Sequence, residues 1–148
     1  MSFEQFVAEQ GPALRAALVA AYGPEVGLDA ASEALAYGWE EWPRLAAMDN
    51  PAGYLFRVGQ SAARRLRRSP AQLPAPPPNE LPHFEPALLP ALAALSDGQR
   101  ICVALVHGYG YPVAEVARLL DVSDSTVRTH LLRAMQRLRT ALEVHHVD

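Results

Sequence analysis

The run Ser123-Asp124-Ser125-Thr126-Val127-Arg128-Thr129 sets four short hydroxyl side chains around one arginine. Short hydroxyls can bond phosphates or base edges without holding a helix away from a DNA groove. Arg128 carries a planar fork that fits either a guanine edge or a phosphate. Arg118, Arg133 and Arg137 flank the run and suit phosphates better. A second basic stretch, Arg64-Arg65-Leu66-Arg67-Arg68, is too dense to be one buried helix face. It reads as a phosphate-contacting strip, with a solvated helix end as the plainer alternative. Tyr54 and Phe56 have rings that can stack on unpaired bases, although core packing is as good a reading for one of them. Bond-making chemistry has no comparable support. No phosphate-binding glycine loop, nucleophile elbow or zinc-ligand spacing occurs, and His107, His145 and His146 lack metal-ligand company. The expectation is a non-enzymatic protein with no metal and no cofactor.

The elements that must position these groups are helices. Ser96, with Gln99 three residues on, has capping-box spacing and predicts a helix running to about Val106. Gly108-Tyr109-Gly110 predicts a turn, and Pro112 opens a short helix over Val113–Leu120. A tight turn at Asp121-Val122-Ser123 follows, and Ser123 caps a long last helix with Asp124 on its N-terminal dipole. Ala117 is small enough to let two helices cross closely. Val113, Val116 and Leu120 are expected to face the partner helix, with Val122 plugging the turn. Val127, Leu131, Ala134 and Leu138 recur at helical spacing as a buried stripe. Ser125, Thr126, Thr129, Arg133 and Arg137 are left on other faces. This is a helix-turn-helix pattern, whose second helix enters the major groove.

The first half is helical too. Phe3, Phe6, Val7, Leu14, Leu18 and Val19 predict an early helix, interrupted near Gly11-Pro12 and ended by a turn at Gly23-Pro24. A helix over about Asp29–Trp42 follows, and Pro51 opens another that carries Tyr54, Arg57, Ser61, Arg64 and Arg65. Eight of the thirteen prolines fall between Pro70 and Pro90, where an extended linker is expected instead of helix. The chain therefore divides into 1–69, a linker over 70–90, and 91–148. No strand pattern appears, so the fold class is all-α, two small helical domains joined by a Pro-rich linker.

Composition narrows the partners. The net charge is −3, yet residues 1–50 carry eight acids while residues 51–71 carry five arginines and no acid. The overall acidic balance argues against nonspecific coating of nucleic acid, and a local basic patch on an acidic body fits targeted contact. No stretch is long and apolar enough to cross a membrane, and the start lacks a secretory signal. The single cysteine, Cys102, sits in an apolar run and reads as a small buried hydrophobe, as expected in a reducing cytoplasm.

The stretch from Ala91 to Arg100, then Glu115-Val116-Ala117, Ser125-Thr126-Val127-Arg128 and Arg133 to Leu138, resembles the C-terminal domain of extracytoplasmic-function sigma factors. The resemblance implies that this half reads the upstream promoter element in double-stranded DNA. Asp29-Ala30-Ala31-Ser32-Glu33 and then Trp39 resemble the family's helix that docks on core RNA polymerase, with Ser32 where glutamine is usual. Asp29, Glu33 and Trp39 are then the polymerase-binding candidates. By pattern alone, the two acids read as solvated surface and Trp39 and Trp42 as core. The segment Asn50 to Val58 resembles the lead into downstream-element recognition and strand opening. Tyr54, Arg57, Ser61, Arg64, Arg65 and Arg68 are its candidates, although the family commonly has asparagine at the place of Ser61. An anti-sigma factor is a further partner that the resemblance allows. Two rival readings stay open: a stand-alone helix-turn-helix regulator, and a degenerate sigma-like interaction protein, motivated by Gln60-Ser61.

Overall fold

The computed structural model describes residues 1–67 and 88–147, and among these there is no strand. The first four helices are α1 (Phe3–Tyr22), α2 (Pro24–Glu40), the single turn α3 (Trp42–Leu45) and α4 (Pro51–Arg67). Then come α5 (Leu88–Ala93), α6 (Asp97–Val103), a π-helical turn over Ala104–Gly108, α7 (Val113–Leu120) and α8 (Asp124–Val147).

Ser2 starts α1 with a capping box: its hydroxyl accepts from the Gln5 N–H while the Gln5 side chain accepts from the Ser2 N–H. Contrary to expectation, α1 runs unbroken through Gly11-Pro12. Pro12 and Ala8 both lie on the exposed face. The carbonyl that proline leaves without a donor can therefore turn to water. Gly23, at φ 88°, ends α1, and Pro24 takes the first turn of α2. The second helix thus begins five residues before Asp29, because proline at a first helical position needs no N–H partner. The same logic corrects the expectation for Pro90, which was placed in the non-helical run. It sits in the first turn of α5, where N–H groups have no intrahelical acceptor anyway. The rest of the Pro-rich segment, through residue 87, lies outside the described residues.

One core runs through both halves. Phe6, Leu14, Leu18, Leu45, Leu55 and Phe56 from the first half share it with Ile101, Leu105, Val116, Leu119 and Val127 from the second. Each fully buried leucine contributes roughly 1.5–3 kcal/mol of transfer free energy. Cys102 belongs to this core, with no exposed surface, and burial pushes its thiol up to about 11. It is inert packing, as expected. A small second cluster, Ala91, Leu95, Ala134 and Leu138, fastens α5 to α8.

Candidate nucleic-acid interface

The helix-turn-helix forms where the spacing placed it. α7 ends at Leu120, and Asp121 takes the left-handed conformation at φ 57° and ψ 48°. The chain turns there, and the Val122 N–H returns to the Ala117 carbonyl at 3.0 Å. Val122 does not plug this turn. It is 39 % exposed, while Leu119 and Val127 fill the inward positions at 3 % and 0 %. A left-handed residue at Asp121 rotates the next side chain outward, and no periodicity argument anticipates that rotation.

Ser123 caps α8, its hydroxyl accepting from the Thr126 N–H at 3.1 Å. The same hydroxyl lies 3.0 Å from that of Ser125 and 2.9 Å from that of Thr126. The expected hydroxyl-rich start is therefore a connected cluster at a helix N-terminus, where the dipole favours anions. Asp124 opposes this locally, and its carboxylate stands 4.0 Å from the Arg128 guanidinium. Both partners are largely exposed, so the pair is weak and Arg128 can leave it for a ligand. Ser125, Arg128, Thr129 and Arg133 are exposed, on the side away from the Val127, Ala134 and Leu138 stripe.

Two other candidate arginines of this half are engaged within the chain. Arg137 donates to the Gln99 side chain at 3.0 Å and to the Ala94 carbonyl at 3.0 Å, tying α8 to the α5–α6 connection. Arg118 donates to the Asp49 carbonyl at 2.6 Å, across to the first half.

In the first half the candidates scatter. Arg57 pairs with Asp121, and Arg65 with Glu33. The second pair joins α4 to α2, so a residue assigned to DNA and one assigned to polymerase hold each other. Arg64 and Ser61 are exposed, and Asp29 is exposed on α2. Arg68 lies outside the described residues. Trp39 corrects the core reading: it is 61 % exposed, with its ring edge-on to that of Phe3 at 5.6 Å between ring centres. Trp42 does line the core, 5.0 Å from Phe6, and donates to the Met1 carbonyl at 3.1 Å. Phe56 is buried, which leaves Tyr54 as the stacking candidate.

Tyr54 is not alone. Its hydroxyl lies 3.4 Å from that of Tyr37 with the rings near parallel, and the Arg44 guanidinium sits 5.7 Å over its ring. Arg44 also donates to the Tyr37 hydroxyl and pairs with Glu41 at 3.1 Å. The phenol contact raises the pKa of Tyr37 and lowers that of Tyr54, as expected when Tyr37 donates to the Tyr54 oxygen. Sequence reasoning missed Tyr37 and Arg44, because nothing local signals a cluster drawn from α2, α3 and α4. Beside it, an open groove of about 520 Å³ between α2 and α4 is lined by Glu33, Tyr37, Glu40, Val58, Ser61 and Arg65, among others. Among the described residues no helix is long and apolar enough to cross a membrane, and no cluster has the makings of a metal site.

Residues 87–138 match the family model for region 4 of sigma-70. The RNA polymerase sigma-E factor of Streptomyces coelicolor is 31 % identical over 159 aligned positions, covering all of this chain and 90 % of that protein. The protein of the same name from Streptomyces avermitilis is also 31 % identical, over 89 % of its length. Among solved structures, the sigma factor RpoE of Bartonella quintana, in complex with the anti-sigma factor NepR, matches with a TM-score of 0.62 at 21 % identity. It covers 96 % of this chain and 97 % of its own. CnrH, in complex with the cytosolic domain of CnrY, matches with a TM-score of 0.58 at 25 % identity, over 96 % of this chain and 88 % of its own.

Proposed function

Because the chain belongs to the extracytoplasmic-function RNA polymerase sigma factors, we propose a division of its promoter-specific initiation role among particular residues. The chain is an initiation factor that binds core RNA polymerase and promoter DNA. The polymerase supplies the bond-making chemistry. The start of α8 reads the upstream element in the major groove. Ser125, Thr126 and Thr129 reach base edges or phosphates, Arg128 reads a base, and Ser123 holds the cluster together. Arg118, Arg133 and Arg137 contribute charge toward the backbone. The α4 helix serves the downstream element through Tyr54, Arg57, Ser61, Arg64 and Arg65, and Arg68 adds to them. Asp29, Glu33 and Trp39 on α2 face polymerase. The protein works in the cytoplasm, where its polymerase is, and an anti-sigma factor holds it in reserve, a reading supported by the complexes in which two similar proteins were solved.

The observation that carries this reading is a match extending over the whole chain, not over the helix-turn-helix alone. A stand-alone regulator would share only the second half. The test is run-off transcription on a fragmented genomic library, using core polymerase with and without the protein. New transcripts starting at one shared asymmetric motif are expected. Binding to core polymerase without new starts would overturn the initiation role and favour the interaction-protein reading.

A further inference from the structure

The polar face of α8 carries one side chain that its surroundings do not explain. Between Asp124 and Leu138 the large apolar residues of this helix are Val127, Leu131, Leu132, Met135 and Leu138. Val127 and Leu138 are buried, and Leu131 and Met135 pack against the two cores. Leu132 is 61 % exposed. Single exposed leucines are ordinary on protein surfaces, but this one is set apart by its neighbours. Residues three, four and seven apart share a helix face. Leu132 therefore lies with Ser125, Arg128, Thr129 and Gln136, all of them exposed. The buried Val127 and Ala134, five positions back and two ahead, fall on the opposite side. The leucine thus occupies the middle of the face assigned to base reading. For the fold alone, alanine or glutamine would serve the helix as well.

We infer, resting on the reading of α8 as the helix that enters the major groove at the upstream element, that Leu132 recognises a thymine there through its C5 methyl group. Base edges in that groove are hydrogen-bond donors and acceptors with one apolar exception, the thymine methyl. A leucine held against a carbonyl or amine edge strips water from it and returns no hydrogen bond. Against the methyl it buries apolar surface on both sides. The contact favours thymine over the other three bases, including cytosine, which has the same ring position without the methyl.

This differs from what the rest of the face does. Hydroxyls and arginines take phosphates as readily as bases, so they position the helix as well as read with it. An aliphatic side chain gains nothing from a phosphate. Arg128 and Leu132 are four residues apart, which is about 6 Å along the helix axis. Successive base pairs are stacked about 3.4 Å apart. The thymine accordingly lies within two base pairs of the base that Arg128 reads.

The test uses the full-length chain bound to core polymerase, and duplex DNA carrying the upstream element obtained by binding-site selection. Each thymine of the element is replaced in turn by deoxyuridine, which removes only the methyl. One replacement, within two base pairs of the position whose preference Arg128→Ala relaxes, should weaken wild-type binding roughly fourfold, the worth of one buried methyl. With Leu132→Ala the same replacement should cost nothing, and selection should lose the thymine at that position alone. Leu132→Met keeps the apolar reach and should keep the methyl dependence. Neither variant should shift the unfolding midpoint, because the exposed side chain carries no core packing. Uracil tolerated at every thymine, or an equal penalty in wild type and Leu132→Ala, would overturn the inference. So would a Leu132→Ala chain that binds core polymerase less tightly with its sequence preference unchanged, since Leu132 would then be a polymerase contact. Should any of these occur while Arg128→Ala still relaxes the preference, the failure is confined to Leu132. If no upstream element emerges, or neither variant alters it, the α8 reading falls and the thymine contact with it.

Discussion

The two halves assemble their polar groups in opposite ways. At the start of α8 the reading face is built from neighbours in the chain: Ser123, Ser125, Thr126, Arg128 and Thr129 all fall within the first turns of one helix. In the first half the polar groups meet across elements. Glu33 of α2 meets Arg65 of α4, and Tyr37, Arg44 and Tyr54 come together from three helices. Helix period alone fixes the first arrangement. The second exists only because α2 and α4 pack side by side. A substitution on the α8 face should therefore remove a contact with a ligand and spare the fold. A substitution in the α2–α4 cluster should remove a contact between elements, and so reshape a surface.

The largest expected effect tests whether the halves are separable at all. Leu14, fully buried in the shared core, should cost ~2–5 kcal/mol when changed to alanine. Both tryptophans lie in the first half, so their fluorescence reports that half, while circular dichroism reports all helices. If the core is truly shared, urea unfolding followed by the two probes should give coincident curves. Separated midpoints would show the halves to be independent and weaken the comparison. Next comes Arg128→Ala, which should relax preference at one upstream position by ~1–3 kcal/mol in a binding-site selection. Its unfolding midpoint should barely move. An unchanged preference would remove Arg128 from base reading. Ser123→Ala should destabilise by ~1 kcal/mol through loss of the cap, and also weaken upstream DNA binding, because Ser123 orients two neighbouring hydroxyls. Loss of stability with DNA affinity intact would confine it to the cap. The smallest effect is expected for Glu33→Gln, where an exposed pair with Arg65 should give a coupling of ~0–1 kcal/mol in a double-mutant cycle. A larger coupling would mean that the first half is held by its surface charges more firmly than exposure allows.

How much of this was readable in the residues follows from the same contrast. Caps at Ser96 and Ser123, the bounds of α7 and the apolar stripe Val127, Ala134 and Leu138 were all legible, because each depends on neighbours within one or two turns. The misses have local causes as well. Pro12 was read as a break and Pro90 as linker, since proline's effect depends on whether the missing N–H would have had a needed acceptor. Val122 was read as a plug because the left-handed turn at Asp121 leaves no mark in a hydrophobic pattern. Trp39 was weighed as core on its type, but it lies on a face of α2 that is largely exposed.

By itself, the sequence determined an all-helical chain, a helix-turn-helix with its hydroxyl-and-arginine start, and a buried, unreactive Cys102. These rest on period, capping and side-chain chemistry, which act over a few residues. Only the tertiary structure decided where the arginines go. Arg118, Arg57, Arg65 and Arg137 each look free in a linear reading, yet each finds a partner between 32 and 69 positions away. A long charged side chain has no periodicity that announces its partner. What it meets is set by which helices the shared core draws together.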